Sequence, residues 1–503
     1  MTLRLSTCAI LLVTIVSLMA GCGMPTAPPT PVPVMAKLTV FLPTATLTPV
    51  PPTATLMPML PTATLTSLPP TATPTPFPPT DTPPLPTVVV GEVVASLQER
   101  ISAPGAPRSD LRELAAGNNA FAFDLYQAIS DGEDNLLFSP YSISMALAMV
   151  YAGARGRTEQ QMADTLHFEL PQESLHPAFN ALDLELTSRS HAAVGDASGD
   201  EVEPVAFELH IANAIWGQAG CPFLPEYLDL LARNYGAGIR LADFRTNAPA
   251  AVVAINQWVS EQTNGRIRDI VDSLGEDTAL VLANTVYFNA AWAVPFDEED
   301  TKDEPFHLLD GKYEIVAMMH QRDDFRYTEG RGYQAIQLPY TNRTVDMVIL
   351  LPREGQLQEM EERLAGDWVQ SVVASFSEQD VVLTMPKFGF ETPVLNLVNT
   401  LSAMGMPDAF FLPSADFSGI TEPHSGPSLY ISRVLHKAFI NVDDQRTEAA
   451  ASTIIAMPPG MVRGTPTEPP PIIMRIDRPF IFLIRDIETD TILFIGRVMN
   501  PNE

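Results

Sequence analysis

Apolar residues first recur at helical spacing from Leu111, with Leu114, Phe121, Leu125 and Ile129 on one face. A second helix is predicted from Ser139-Pro140, where a hydroxyl cap precedes a proline at the first helical position. Ile143, Leu147, Met149 and Val150 make that helix apolar almost all round, which predicts burial. Further helices are predicted at 225–234, at 249–263 with Asn264-Gly265 as the stop, and at 394–404. Strand patterns fall at 207–215, 280–288, 345–351, 381–390, 429–442, 472–476, 480–485 and 491–498. The polar loop from Asp486 to Asp490 makes the last two a hairpin. Helices dominate early and strands late, without regular alternation, so the expected fold class is α+β with mostly antiparallel sheets.

The pattern fails before residue 109. Of 47 prolines in the 503-residue chain, 20 lie between Pro25 and Pro86. Pro-Thr-Ala-Thr begins at Pro43, Pro52, Pro61 and Pro70, and Pro-Thr-Asp-Thr at Pro79, a nine-residue period. Proline removes the donors that helices and sheet ladders need, so the repeat reads as an extended polyproline-like spacer. About 65 such residues at roughly 3.1 Å each reach on the order of 200 Å. Thr- and Pro-rich tracts are also similar to O-glycosylated stalks.

Upstream of the spacer, residues 5–19 are nearly all apolar after a single Arg4, a length suited to a signal segment rather than a membrane span. The run ends at Leu18-Met19-Ala20-Gly21-Cys22, which resembles a bacterial lipoprotein cleavage site. The reading is a signal peptide over 1–21, a linker over 22–108 and a globular part over 109–503, with Cys22 as the lipidated N-terminus. The chain is then exported and held at the bacterial cell surface, or secreted if the cleavage site is an ordinary one. Cys221 becomes the single thiol of the globular part. Flanked by Gly220 and Pro222 with no local His, it reads as structural.

Charge and motif content narrow the function. Residues 109–503 carry 26 basic against 57 acidic side chains, which argues against nucleic acid, heparin-like polyanions and anionic lipid as partners. Membrane contact is expected only through the N-terminal lipid. The sequence holds no HExxH, CxxC, Walker A, G-x-S-x-G or G-x-G-x-x-G motif, and its His residues show no metal spacing. The expectation is a binding protein rather than an enzyme, with no cofactor and no metal.

Between the strands ending at Val442 and starting at Ile472 lies a loop of about 28 residues, a length usual for functional segments. Its first half is odd for a loop: Ala449, Ala450, Ala451 and Ser452 are small, and Thr453, Ile454 and Ile455 are suited to strands. Such a segment can stand in solvent or slide between strands.

From about Leu111 to Pro501 the chain resembles a serpin. The resemblance rests on Asn135–Met149, similar to the family's helix B, and on Ile255–Gly265, similar to its helix F. Leu282–Phe288 resembles the third strand of its sheet A, and Trp292 and Pro295-Phe296 match the residues just after that strand. Pro386-Lys387-Phe388, Ala415–Ile420, Ser432–Phe439, Arg478-Pro479-Phe480 and Gly496–Pro501 match further segments. The resemblance implies a monomeric suicide substrate for serine proteases, with cysteine proteases as a second class. A protease cleaves the exposed loop, and the loop inserts into sheet A before the acyl-enzyme hydrolyses.

It also implies roles for residues. Thr447, Glu448, Ala449, Ala450 and Ala451 match the hinge where insertion begins. Ser142, Asn284 and His436 match the hydrogen-bonded shutter beneath the sheet, and Trp292 the buried Trp at the breach where the strand enters. Family spacing from Asp444 places the reactive bond at Gly460-Met461, with Arg463 as the alternative. Two features depart from the pattern. Arg446 stands where glycine is usual, and the second half of the loop is long and rich in proline (Pro458, Pro459, Pro466, Pro469, Pro470, Pro471). They keep open the alternative of a non-inhibitory serpin that acts as a binding or carrier protein.

Overall fold

The computed structural model describes residues 90–130, 132–190, 208–341, 343–422, 428–444 and 469–502. The first helix runs Arg108–Ile129 and buries Leu111, Leu114, Phe121 and Leu125, the face that the 3.6 period selects. In the second, Pro140–Tyr151, the Ser139 side chain accepts from the Ser142 amide at 3.2 Å and all twelve residues are buried. The helices expected near 225 and 249 run Pro225–Tyr235 and Phe244–Gln262.

Two sheets carry the rest. In the first sheet the strand order is Val93–Val94, Ile239–Ala242, Glu208–Gln218, Leu280–Asn289, Ile431–Val442 and Phe388–Glu391, with Leu395–Asn396 also on Ile431–Val442. The second sheet runs Ile472–Arg475, Ser377–Pro386, Tyr313–Gly330, Tyr333–Pro339, Val345–Pro352, Phe480–Asp486, Ile492–Val498 and Leu136–Phe138, with Lys302–His307 on Tyr313–Gly330. Most pairings are antiparallel, as expected. Among the described residues three are parallel: Leu280–Asn289 with Ile431–Val442, Glu208–Gln218 with Ile239–Ala242, and Ser377–Pro386 with Ile472–Arg475.

Three expectations are corrected. The run 381–390 is two strands, Ser377–Pro386 in the second sheet and Phe388–Glu391 in the first. Proline at 386 has no amide to continue the ladder, and the Lys387 amide bonds to the Ala317 carbonyl at 2.8 Å as the chain changes sheets. The helix expected at 394–404 begins only at Val398, because Leu395 and Asn396 pair with His436 and Leu435. Packed chain also starts well before the boundary expected at 109. Val93–Val94 pairs with Arg240 and Ile239, Arg100 reaches Asp183 at 2.7 Å, and the Ile101 amide bonds the Arg233 carbonyl at 2.9 Å. Between Pro86 and Pro104 the chain has no proline, so its backbone amides can pair, and Val93–Val94 takes an open sheet edge.

Candidate functional site: the seam between two parallel strands

Leu280–Asn289 and Ile431–Val442 are direct neighbours, with Leu435 opposite Ala283, His436 opposite Asn284 and Phe439 opposite Tyr287. Alternation sends Leu282, Val286, Phe288, Val434, Ala438 and Ile440 into the main core, while Val281, Ala283 and Leu435 join a smaller cluster under the helix Phe244–Gln262.

On the core side the seam is tied by side chains. Register places Asn213, Asn284 and His436 in one row across three strands, facing the N-terminus of the helix Pro140–Tyr151. The Ser139 amide donates to His436 Nε2 at 3.2 Å, so that nitrogen carries no proton. Nδ1–H is therefore the donor to Asn284 Oδ1, and Asn284 Nδ2 donates in turn to Ser142 Oγ and Asn213 Oδ1. His436 and Ser142 are wholly buried and Asn284 nearly so. Ser142, Asn284 and His436 thus meet in one hydrogen-bonded cluster. Asn213 and the Ser139 amide complete the cluster and were missed by the sequence reading; the signal for Asn213 is a lone polar residue inside Ile211-Ala212-Asn213-Ala214-Ile215.

Burial without a charged partner pushes the pKa of His436 down from 6.5 to about 3, and that of His176 to about 4. The folded chain holds both rings neutral, whereas unfolded chain protonates them near pH 6.5. Their stabilisation is fully present above that value and is lost as pH falls towards the folded pKa values. The melting temperature is expected to drop steadily between pH 6.5 and 4. A His436→Gln variant, less stable at pH 7, is expected to show a shallower drop. Parallel pH profiles for variant and parent would remove His436 from this account.

Beyond the open end of the seam Trp292 stacks on Tyr340 at 4.7 Å and 9°, and its Nε1 donates to the Asp443 carbonyl at 3.0 Å. The buried Asp444 carboxylate takes Lys387 Nζ at 2.5 Å and Thr301 Oγ1 at 3.0 Å. These contacts fix where the chain leaves the sheet. After residue 468 the described chain enters the second sheet as Ile472–Arg475. The hinge Thr447, Glu448, Ala449, Ala450 and Ala451, the bond Gly460-Met461, Arg463 and, at the other end of the chain, Cys22 lie outside the described residues.

Burial raises the Cys221 thiol to about 11, which makes it inert as a nucleophile. Among the described residues no group of three or more His, Cys, Asp or Glu is placed to hold a metal ion, and no helix is long and apolar enough to cross a membrane.

This architecture is that of a known class of protein. The family described as Serpin (serine protease inhibitor) matches residues 116–501. An uncharacterized serpin-like protein of Thermococcus kodakarensis is 40% identical over 76% of this chain and 85% of its own. The leukocyte elastase inhibitor of Xenopus laevis is 34% identical over 78% of this chain and 100% of its own. The structure of human thyroxine-binding globulin superposes with a TM-score of 0.66 at 30% identity, over 78% of this chain and 100% of that one. The chain belongs to the serpin family.

Proposed function

We propose that this serpin is an irreversible suicide-substrate inhibitor of serine proteases, with cysteine proteases as a second target class. The observation that carries the reading is the parallel seam. A chain leaving Ile431–Val442 at Asp444 and turning back would run antiparallel to both seam strands. Entering between them, it would replace one parallel pairing by two antiparallel ones, which are slightly more stable per residue. The segment that would do so begins Thr447-Glu448 and continues through three alanines, whose small side chains suit entry into a packed seam. The energetics support trapping. Some ten new ladder hydrogen bonds at about 1 kcal/mol each exceed the roughly 3–4 kcal/mol at stake when a protease loses one oxyanion donor.

Arg446 and the proline-rich half of the loop favour a second reading, a carrier whose loop is cut without trapping. Incubation with trypsin-, chymotrypsin-, elastase- and subtilisin-like proteases separates the two. An SDS-resistant adduct carrying the protease is the expected result, and cleavage by every protease without an adduct would leave the carrier reading. Met461 would suit chymotrypsin- or elastase-like enzymes and Arg463 trypsin-like ones.

The same proposal puts the inhibitor on a tether. The apolar run stops at Ala20-Gly21-Cys22 and the proline repeat comes next, a combination that holds a domain away from a surface. Cys22→Ala is expected to move the protein from the membrane to the soluble fraction, and unchanged membrane partition would count against lipidation.

A further inference from the structure

The shutter ties the seam on its core side; the opposite side carries a second tie. Phe439 and Tyr287, register partners across the seam, stack with ring centroids 5.7 Å apart and 29° between planes. The Arg266 guanidinium lies over both rings, 4.7 Å from the Tyr287 centroid and 5.8 Å from that of Phe439. Both distances are within cation–π range.

Arg266 belongs to a segment built to span the seam. After the helix Phe244–Gln262 the chain is stiffened by Thr263 Oγ1, bonded to the Ile267 carbonyl and amide, and by Asn256, which bonds Ile270 and Val271. Ile267 and Ile270 are buried in the cluster that also holds Val281 and Ala283 from one seam strand and Leu435 from the other. Lys437 Nζ donates to the Asp269 carbonyl at 3.0 Å. The helix itself is anchored elsewhere, by Trp258 edge-on to Trp216 at 6.4 Å, with Arg240 over both rings. The segment therefore crosses from the far side of the sheet and lands on Ile431–Val442.

We infer that Arg266 is a latch on the seam, a positioning residue that slows strand insertion and so sets how much cleaved inhibitor ends as trapped complex. The inference rests on the inhibitor reading above. Its physical basis is selectivity for one state. Neighbouring strands lie about 4.8 Å apart, so a strand entering the seam moves Phe439 and Tyr287 to about twice that separation, with a new side chain standing between them. One guanidinium cannot then cover both rings. The contact stabilises the unfilled sheet and not the filled one, so it opposes insertion by whatever it contributes.

The test needs no protease. A synthetic peptide of residues 447–460 is added to intact full-length protein, and its uptake is followed by the rise in melting temperature with incubation time. Arg266→Gln is expected to take up the peptide about two- to fivefold faster than the parent, the range that an exposed to partly buried cation–π contact supports. Arg266→Lys should fall between, and Phe439→Leu should accelerate uptake in the same direction. The melting temperature of the peptide-filled form should match the parent's in the Arg266→Gln variant, a result that a general loss of packing would not give. Equal uptake rates for parent and Arg266→Gln would overturn the latch and leave the inhibitor reading intact. No uptake by any of them would overturn the insertion reading, and the latch with it.

Discussion

Cleavage at a bond within residues 460–464 is expected to raise the melting temperature of the protein by ten degrees or more. A nick ordinarily destabilises, because it removes a constraint and adds no contact. On the insertion reading it frees a segment to enter the seam. Residues 447–460 are about 45 Å of strand at roughly 3.3 Å per residue, and the seam offers the ten residues of Leu280–Asn289 on one side and the twelve of Ile431–Val442 on the other. Thr447, Ala449, Ala451, Thr453 and Ile455 alternate onto one face, which can join Val286, Phe288, Val434 and Ala438 over the main core. With a gain of order 10 kcal/mol and about one degree or more per kcal/mol in a domain near 400 residues, the shift exceeds any plausible loss from the cut. Calorimetry of intact and cleaved protein decides. A cleaved form melting at or below the intact one removes insertion and places the carrier reading first.

Thr447→Arg is expected to abolish the SDS-resistant adduct while leaving loop cleavage at the parental rate. On the insertion reading Thr447 would be the first side chain to enter the sheet, at the end of the seam where Trp292 is buried against Tyr340. A guanidinium there would lie between packed apolar strands without a partner, at a cost of several kcal/mol. That cost falls on insertion, whereas cleavage happens outside the sheet and is untouched. Every molecule would then pass along the substrate branch. Arg446→Gly tests the same step from the other side: with the bulky charge gone from the bend, the ratio of adduct to cleaved inhibitor should rise. Adduct formation by Thr447→Arg at the parental level would show that this residue does not lead the insertion.

Much of this was legible in the chain because the signals are local. Ser139-Pro140 before an all-apolar stretch specifies a capped, buried helix whatever surrounds it, and the helix is found at Pro140–Tyr151. Asp486 to Asp490 closes the expected hairpin, with the Asp486 carboxylate accepting from the Thr489 amide at 2.9 Å and Asp490 taking a left-handed φ of 64°. The buried hydrogen-bonded cluster is legible in a different way. Ser142, Asn284 and His436 were named through resemblance to a family, since nothing local distinguishes a buried Asn or His with a partner from one without.

Alternation along a strand determines which side chains are buried, and this depends on single residues and their near neighbours. Which strands become neighbours, and in which direction they run, was decided only by the tertiary structure. Every backbone offers the same donors and acceptors, so the ladder itself does not distinguish one partner from another. That freedom is why 381–390 read as one strand although the chain changes sheets at Lys387, and why the edge pairing of Val93–Val94 went unseen. The parallel register of Leu280–Asn289 with Ile431–Val442 belongs to the same class: it brings Asn284 to His436 on one face and sets Tyr287 beside Phe439 under Arg266 on the other. Residues more than 150 positions apart meet there because packing of both faces selects one pairing among many that backbone chemistry permits.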